Sequence, residues 1–198
     1  MYKFKTQPFK HQDDVLKISW NQSVWAYFME MGTGKSKVCL DNVGILFEKN
    51  EIDTFVVIAP KGVYRNWSNI EIPVHLPDHI EKEICVWRPS PNKKEKELLL
   101  SLLKEKVPGV LRIFVMNVEA LSTAKGTSYL AALLKKSVTL LAIDESTAIK
   151  NPKAKRTKTI IKISREAKYK RILTGSPVTQ SPLDLWAQCN FLSPTLLG

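Results

Sequence analysis

The sequence predicts an α/β fold, with helices on both faces of a mostly parallel central sheet. Short apolar, β-branched runs alternate with helix-like segments along the 198 residues. Several of these runs are continuously apolar, as parallel strands covered on both faces are. No internal repeat or low-complexity linker interrupts the alternation. The length fits one well-buried domain or two small ones.

The first half of the chain contains three of the expected strands. Residues 23–29, 54–59 and 84–87 are apolar runs rich in β-branched and aromatic residues. Helices are expected at 36–47 and 63–72. The first of these helices is apolar nearly all round, which predicts a buried position beneath the sheet edge.

The second half repeats the pattern with three strands and four helices. The strands are expected at 111–116, 138–143 and 171–173, and the helices at 93–106, 128–136, 154–164 and 183–191. The helix at 93–106 is charged on one side and leucine-rich on the other, as an ordinary covering helix is.

Composition excludes several classes of protein. Hydrophobic residues make up 44% and charged residues 25%, which argues against long disorder. Three cysteines without a Cys-x-x-Cys pair argue against a disulfide framework or a zinc ribbon. The first residues contain no apolar run of the kind found in secretory signals, so no such signal is expected, and no apolar run approaches the ~18 residues of a membrane span. We expect an intracellular protein without membrane association, in the cytoplasm, the nucleoid or nucleus, or the host cytoplasm if it is viral.

The net charge of +11 predicts a polyanionic partner. Most of this charge lies in residues 150–171, a segment that contains ten basic residues and one acidic residue. Such a run is commonly a solvated helix face. Its position between the motifs described next predicts that part of it faces a nucleic-acid backbone and part is solvated surface.

A phosphate-binding loop is predicted where the segment Met-Gly-Thr-Gly-Lys-Ser follows the first strand and opens the buried helix. Glycines let the backbone turn several N–H groups toward one anion, and the helix N-terminus adds partial positive charge. Lys35 would reach the β- and γ-phosphates of ATP, and Ser36 would hold Mg²⁺ through its hydroxyl. The predicted nucleotide-binding residues of the loop are Gly32, Thr33, Gly34, Lys35 and Ser36.

An acidic pair follows the strand expected at 138–143. Carboxylates at the end of a buried parallel strand sit where ligands bind in open α/β sheets. Asp144 is predicted to anchor Mg²⁺, and Glu145 to orient and deprotonate the water that attacks the γ-phosphate. A pair that merely caps the next helix is the structural alternative. The phosphate loop upstream favours hydrolysis, with Lys35, Asp144 and Glu145 as catalytic residues.

Three segments resemble motifs I, II and III of the superfamily-two helicases and, more narrowly, of the Swi/Snf-type DNA translocases. They are Glu-Met-Gly-Thr-Gly-Lys-Ser at 30–36, Asp-Glu-Ser-Thr-Ala-Ile-Lys-Asn at 144–151 and Leu-Thr-Gly-Ser-Pro at 173–177. The narrower resemblance rests on segments 8–12, 58–60 with Trp67, 117–121, 149–151 and 183–194. Together the motifs cover essentially the whole chain in the family's order.

The resemblance implies a RecA-like three-layer fold and an ATPase lobe that uses Mg²⁺ and moves on DNA. It implies that Gln12 reads the adenine edge. Coupling of the nucleotide state to DNA would fall to Thr174, Gly175 and Ser176. Contacts, mainly to the backbone of duplex DNA, would come from Pro60, Lys61 and Arg65. The basic segment adds four expected DNA contacts: Lys153, Lys155, Arg156 and Lys158.

Two positions depart from the family's pattern. Thr147 stands where motif II often has His, which predicts a weaker link from the acidic pair to motif III. Met29 stands where the subfamily often has Asp, which we attribute to packing of the strand end.

Residues 1–198 are expected to be one ATP-binding lobe. The resemblance places the arginine fingers on a second lobe that this sequence lacks, so weak hydrolysis is expected from the chain alone.

Three other functions remain to be weighed. An RNA or DNA strand-separating helicase lobe would share these motifs. A nucleic-acid-binding module with little ATPase activity would keep the fold without turnover. A small-molecule kinase is disfavoured because no acceptor-site motif is present. For Trp20 and Trp67, both core packing and base stacking remain open.

Overall fold

The computed structural model describes residues 2–104 and 106–197. Six parallel strands form one sheet: β1 Val24–Phe28, β2 Thr54–Ala59, β3 Glu81–Val86, β4 Val110–Asn117, β5 Thr139–Asp144 and β6 Tyr169–Thr174. Their order across the sheet is β1-β6-β5-β2-β4-β3. Each expected strand is present with small shifts at its ends, and the predicted α/β class is confirmed.

Helices connect the strands. They are α1 Lys10–Ser19, α2 Lys35–Glu48, α3 Tyr64–Asn66, α4 Ile72–His75, α5 Lys93–Leu102, α6 Ala124–Lys135, α7 Lys155–Ile163 and α8 Asp184–Leu192. A π-helical turn, Trp67–Glu71, joins α3 to α4, and short 3₁₀ turns lie at Val118–Ser122, Ser146–Ile149 and Ser164–Glu166. Nine of the fourteen residues of α2 are buried, in agreement with the buried position that its sequence predicts.

Four helices differ from the expectation. α1 was not predicted, because only Leu16 of its apolar residues is fully buried and no Ser, Thr, Asp or Asn marks its start. The helix expected at 63–72 is divided by the π-helical turn. α6 begins early because the Thr123 hydroxyl accepts the N–H of Gly126 and caps it. α5 ends at Leu102, and residue 105 of the helix expected there lies outside the described residues.

The molecule has three layers. Buried side chains of α1 to α4 and of the π-helical turn, such as Leu40 and Trp67, pack on one face of the sheet together with Phe55. Buried side chains of α5 to α8, such as Leu130 and Phe191, pack on the other face. Adjacent residues of β2 point to opposite faces and all are buried, which explains the continuously apolar sequence of this strand.

The carboxyl ends of the strands meet at one edge of the sheet. Phe28 at the end of β1 pairs with Thr174 at the end of β6, and Asp144 of β5 pairs with Leu173. Ala59 of β2 pairs with Asn117 of β4. The segments that follow β1, β6, β5, β2 and β4 therefore lie side by side. Among the described residues, no helix has the length and apolar character needed to cross a membrane.

Candidate functional site

The predicted phosphate loop joins β1 to α2. Gly32 and Gly34 have φ angles of 77° and 84°, in the left-handed region that glycine adopts without a Cβ penalty. The Lys35 ammonium donates to the carbonyl oxygens of Met29 and Glu30 at 3.0 and 2.9 Å. In the described chain, no side chain caps the N-terminus of α2. Its first N–H groups are thus available to an anion.

Met29 packs against the hydrophobic core on the α2 face. This contact agrees with the expectation that the residue serves the packing of the strand end.

Gln12 links α1 to the phosphate loop. Its Oε1 accepts the N–H of Phe9 at 3.0 Å and its Nε2 donates to the carbonyl of Thr33 at 2.9 Å. The neighbouring His11 ring contacts the same carbonyl at 3.1 Å. The Gln12 amide is buried and keeps one N–H and one oxygen lone pair for a further partner.

The acidic pair ends β5, and both oxygens of Asp144 are engaged. Its Oδ1 accepts the N–H of Glu145 at 3.0 Å and its Oδ2 accepts the indole N–H of Trp67 at 2.9 Å. Burial raises the pKa of Asp144, while these two donors and the charge of Lys35 act in the opposite direction. Trp67 is buried, so of the two alternatives left open for it the structure supports core packing.

A further carboxylate lies near the phosphate loop. Glu71, on the π-helical turn, is half-buried, and burial raises its pKa. The nearby Ser36 hydroxyl acts to lower this pKa, and the charge of Asp144 acts to raise it. Glu71 therefore lies near both Ser36, which follows Lys35 in the loop, and Asp144 of the acidic pair.

Glu145 connects the acidic pair to the end of β6. It has φ 49°, a left-handed conformation that is uncommon for a residue with a side chain. Its Oε1 accepts the hydroxyls of Thr174 at 2.8 Å and of Thr147 at 3.1 Å. The expected weakening of this link is therefore wrong, because Thr174 reaches Glu145 directly and Thr147 adds a second donor.

The segment after β6 also touches the phosphate loop. The N–H of Ser176 donates to the Thr174 hydroxyl at 3.2 Å. A Cβ added to Gly175 would lie 3.3 Å from the backbone N of Met31, so the two loops are in close contact. The three residues predicted to couple nucleotide and DNA thus lie between the phosphate loop and the acidic pair.

The segment after motif II is tied to α8. The Ser146 hydroxyl donates to the Gln188 side chain at 2.6 Å, and Gln188 donates to the Pro177 carbonyl at 2.8 Å. Lys150 lies 3.5 Å from Asp184. These bonds hold the chain after the acidic pair against the segment after β6.

An open cleft of about 670 Å³ lies beyond the ends of β2, β3 and β4. Pro60 precedes it, and the exposed Lys61 and Arg65 line it together with Lys125. The Lys125 ammonium stands 6.0 Å from the centroid of the Trp87 ring and donates to a backbone carbonyl. Three cations therefore line a cleft partly walled by aromatic rings.

The basic segment is not uniform. Lys153, Lys155 and Lys158 are exposed at the start of α7. Arg156 is half-buried, and its Nε donates to the Ala148 carbonyl at 2.8 Å. Arg171 is fully buried and donates to Asn42 and to backbone carbonyls of the α1–β1 connection. For Arg171 the expectation of solvated or nucleic-acid-facing charge is therefore wrong.

Two functional candidates, Glu71 and Lys125, were missed from the sequence, and the contact of a third, Trp67, with Asp144 was not foreseen. Trp67 and Glu71 lie on a turn that local patterns predicted only as part of a helix. The sequence signal available for Trp67 was its place in the segment resembling motif Ia. Lys125 is a single lysine on α6, and only the fold brings it beside Lys61 and Arg65.

Comparison with known families decides the affiliation. The sequence model of the SNF2-related domain matches residues 26–198. The chain belongs to the SNF2-related domain family. The resemblance to Swi/Snf-type proteins is thereby confirmed. This SNF2-related domain is 29% identical over 168 residues to the chromatin-remodeling ATPase INO80 of Eremothecium gossypii. It is 27% identical over 168 residues to the INO80 ATPase of Saccharomyces cerevisiae strain YJM789.

Each of these two matches covers 84% of the chain and 11% of the relative. The SNF2-related domain thus spans about a tenth of the length of those curated relatives.

Two solved structures share its fold over 100% of the chain. The SWI2/SNF2 ATPase core of Sulfolobus solfataricus in complex with dsDNA has a TM-score of 0.73 and 23% identity, with 38% of that chain covered. The SWI2/SNF2 ATPase core domain of the same organism has a TM-score of 0.67 and 25% identity, with 37% covered. The predicted RecA-like three-layer fold is confirmed.

Proposed function

We propose that this SNF2-related domain is the ATP-binding lobe of a DNA-dependent ATPase that moves along duplex DNA and converts ATP to ADP and phosphate. The observation that carries the proposal is the meeting of Lys35, Asp144 and Glu145 at the carboxyl edge of the sheet, with Glu145 bonded to Thr174. The relatives named as ATPases and the neighbour solved with dsDNA support it.

The phosphate loop supplies the groups that bind ATP. The uncapped N–H groups of α2, with Gly32 to Ser36, would surround the phosphates, and the Lys35 ammonium would exchange its two carbonyl partners for phosphate oxygens. Gln12 would use its remaining N–H and lone pair on the adenine edge. The base is then read by a side chain that also contacts the phosphate loop.

Ser36 and Asp144 would hold Mg²⁺. A hydroxyl and a carboxylate are the hard oxygen donors that Mg²⁺ prefers, so the residues present fit the ion. When bound, Mg²⁺ neutralises charge on the β- and γ-phosphate oxygens. Glu145 would orient the attacking water and take its proton, since its Oε1 is fixed by Thr147 and Thr174 and its Oε2 can accept.

The neighbouring surface would bind the DNA backbone. Pro60, Lys61 and Arg65 border the basic cleft, and the exposed lysines of α7 extend its charge. Thr174 to Ser176 would transmit the nucleotide state, because they touch both the phosphate loop and Glu145. We further propose that a second RecA-like lobe completes the site, and that the protein acts inside the cell.

Nucleotide binding by this chain tests the proposal first. Isothermal titration with Mg²⁺ and ATP should give saturable binding. Lys35→Ala should weaken this binding roughly tenfold or more, because a charge-assisted hydrogen bond is removed. Lys94→Ala, at an exposed lysine of α5, should bind as the wild type does. Equal affinity of the Lys35→Ala variant and the wild type would contradict the proposal.

Hydrolysis separates an ATPase from a nucleic-acid-binding module. With protein in excess over ATP, slow single-turnover phosphate release is expected from the wild type and none from Glu145→Gln. Duplex DNA should stimulate release more than single-stranded DNA or RNA does. Preferential stimulation by single strands or RNA would favour the strand-separating lobe, and equal release from the Glu145→Gln variant would remove the ATPase function.

A further inference from the structure

Trp67 is a core residue with one polar contact. The side chain is 2% exposed and packs beside Phe55, with ring centroids 6.0 Å apart and planes inclined at 59°. Its indole N–H points out of this apolar environment and donates to Asp144 Oδ2 at 2.9 Å. A buried Trp N–H usually finds such a partner, and here the partner is the predicted Mg²⁺ ligand.

The hydrogen bond fixes the carboxylate from a distant part of the chain. Trp67 and Asp144 are 77 residues apart in sequence, but Trp67 follows β2 and Asp144 ends the neighbouring strand β5. The second oxygen of Asp144 is held by the N–H of Glu145 at 3.0 Å. Rotation of the Asp144 carboxylate about its Cβ–Cγ bond would break both hydrogen bonds. The indole N–H of Trp67 and the backbone N–H of Glu145, each bound to a different oxygen, therefore fix the plane of the carboxylate.

The same turn approaches the second predicted ligand. Glu71 closes the π-helical turn that Trp67 opens, and its carboxylate lies near Ser36. Glu71 also faces His75, whose Nε2 lies 3.8 Å from Glu71 Oε2. π-helical turns are rare and occur frequently at functional sites. One five-residue turn thus supplies a hydrogen-bond donor to Asp144 and places a carboxylate near Ser36.

We propose that Trp67, at the start of the π-helical turn Trp67–Glu71, belongs to the outer shell of the Mg²⁺ site as the positioning residue of Asp144. The inference rests on the proposed function, because that function assigns Ser36 and Asp144 to Mg²⁺. Trp67 touches neither nucleotide nor metal in this role. It orients the carboxylate, as outer-shell donors orient metal ligands, and loss of such a donor typically lowers metal affinity or activity by about 10–100-fold.

The test measures how strongly Mg²⁺ promotes nucleotide binding. ADP is titrated calorimetrically in saturating Mg²⁺ and in EDTA, and the ratio of the two dissociation constants gives the Mg²⁺ effect. Trp67→Phe should reduce this ratio roughly tenfold and leave the dissociation constant in EDTA unchanged. Electron paramagnetic resonance with Mn²⁺ should show the same loss of metal affinity in the protein–ADP complex.

A matched control separates this effect from core packing. Trp20→Phe makes the same change at a residue that packs against the same hydrophobic cluster, and it should leave the ratio unchanged. Because phenylalanine also leaves a void at Trp67, a second variant carries benzothiophene in place of the indole. This ring keeps the shape and lacks the N–H, so it should reproduce the tenfold loss.

The outcomes are distinct. A wild-type ratio in the benzothiophene variant would overturn the positioning role. Equal weakening in Mg²⁺ and in EDTA would also overturn it, since the effect would then be purely structural. A wild-type chain whose ADP binding does not respond to Mg²⁺ would instead overturn the proposed function, and the inference with it.

Discussion

Gly34 lies between two predicted functional groups, the phosphate loop and the adenine-reading side chain. Its φ is 84°, and a Cβ added there would lie 2.3 Å from Gln12 Nε2. Gly32 has a similar φ of 77°, but no described atom lies within 4 Å of a Cβ at that position. Both glycines have a positive φ, but only at Gly34 would an added Cβ meet another side chain, that of Gln12.

This difference predicts unequal effects of the same substitution. Gly34→Ala and Gly32→Ala should each cost about 1 kcal/mol in backbone strain. Only Gly34→Ala should also displace Gln12, so it should weaken ATP binding further and reduce the preference for ATP over GTP. Titration of both nucleotides into both variants measures this. Equal losses with an unchanged ATP:GTP ratio would show that Gln12 does not read the base.

At the residue scale, the sequence indicates candidate catalytic residues better than it indicates which side chains contact each other. Lys35, Asp144 and Glu145 could be named because their residue types follow predicted strands in a local pattern. The bond from Trp67 to Asp144 could not be predicted, since it joins residues 77 positions apart. The same holds for Thr174, which restores the link that Thr147 was expected to weaken.

Among the elements, Asp53 joins the starts of three strands at the edge opposite the site. Lying just before β2, it accepts hydrogen bonds from Arg112 of β4 at 2.8 Å and from the N–H of Val138, before β5. Lys106 and Thr54 add donors at 3.1 and 2.7 Å. Arg112 is 3% exposed, so its buried charge depends on this carboxylate.

Asp53→Asn should therefore destabilise the fold by about 2 kcal/mol at neutral pH, because a buried arginine loses its counter-charge. Burial acts to raise the pKa of Asp53, but the hydrogen bonds from Thr54, Arg112 and Lys106 outweigh it and hold the pKa below its usual value. The stabilisation is thus complete above about pH 4 and is lost as the pH falls through the folded pKa.

Urea unfolding at pH 7 and pH 3 checks both parts of this prediction. The difference in unfolding free energy between wild type and Asp53→Asn should shrink at the lower pH. Glu51→Gln, which removes an exposed pair with Lys168, should have a smaller effect at pH 7. A difference that stays constant or grows on acidification would contradict the role of the Asp53 charge.

Secondary structure was predictable wherever one pattern dominates. The buried strands and α2 have apolar runs that fix their type and position. α1 escaped prediction because its exposed face is polar and its cap comes from Gln12, three residues inside the helix. The π-helical turn escaped because residues 63–72 have an ordinary helical pattern, whereas the hydrogen bond from Trp67 joins the turn to Asp144 in a distant part of the chain.

In the whole molecule, the strand order arranges the functional segments along one edge. The phosphate loop follows β1, residues 174–176 follow β6, the acidic pair follows β5, and the basic cleft follows β2 and β4. α7 packs on the turn Val118–Ser122, which carries Glu119, one of the residues lining the cleft. Burial acts to raise the pKa of Glu119, but hydrogen bonds from Asn117 and from backbone N–H groups, together with the charge of Arg156 on α7, lower it. The exposed lysines of α7 thus continue the basic surface of the cleft.

This continuity predicts which lysines bind DNA. Replacing Lys153, Lys155 and Lys158 by alanine, with Arg156 kept for its bond to Ala148, should lower duplex-DNA affinity. The slope of log affinity against log salt should flatten by roughly 0.9 for each DNA phosphate that the variant no longer neutralises, with ATP affinity unchanged.

Alanine at the exposed Lys93, Lys94 and Lys96 of α5 removes the same charge and should change DNA affinity far less. Equal losses in the two triple variants would mean that only net charge attracts DNA. An unchanged salt slope, with weaker ATP binding instead, would make the α7 lysines solvated helix surface.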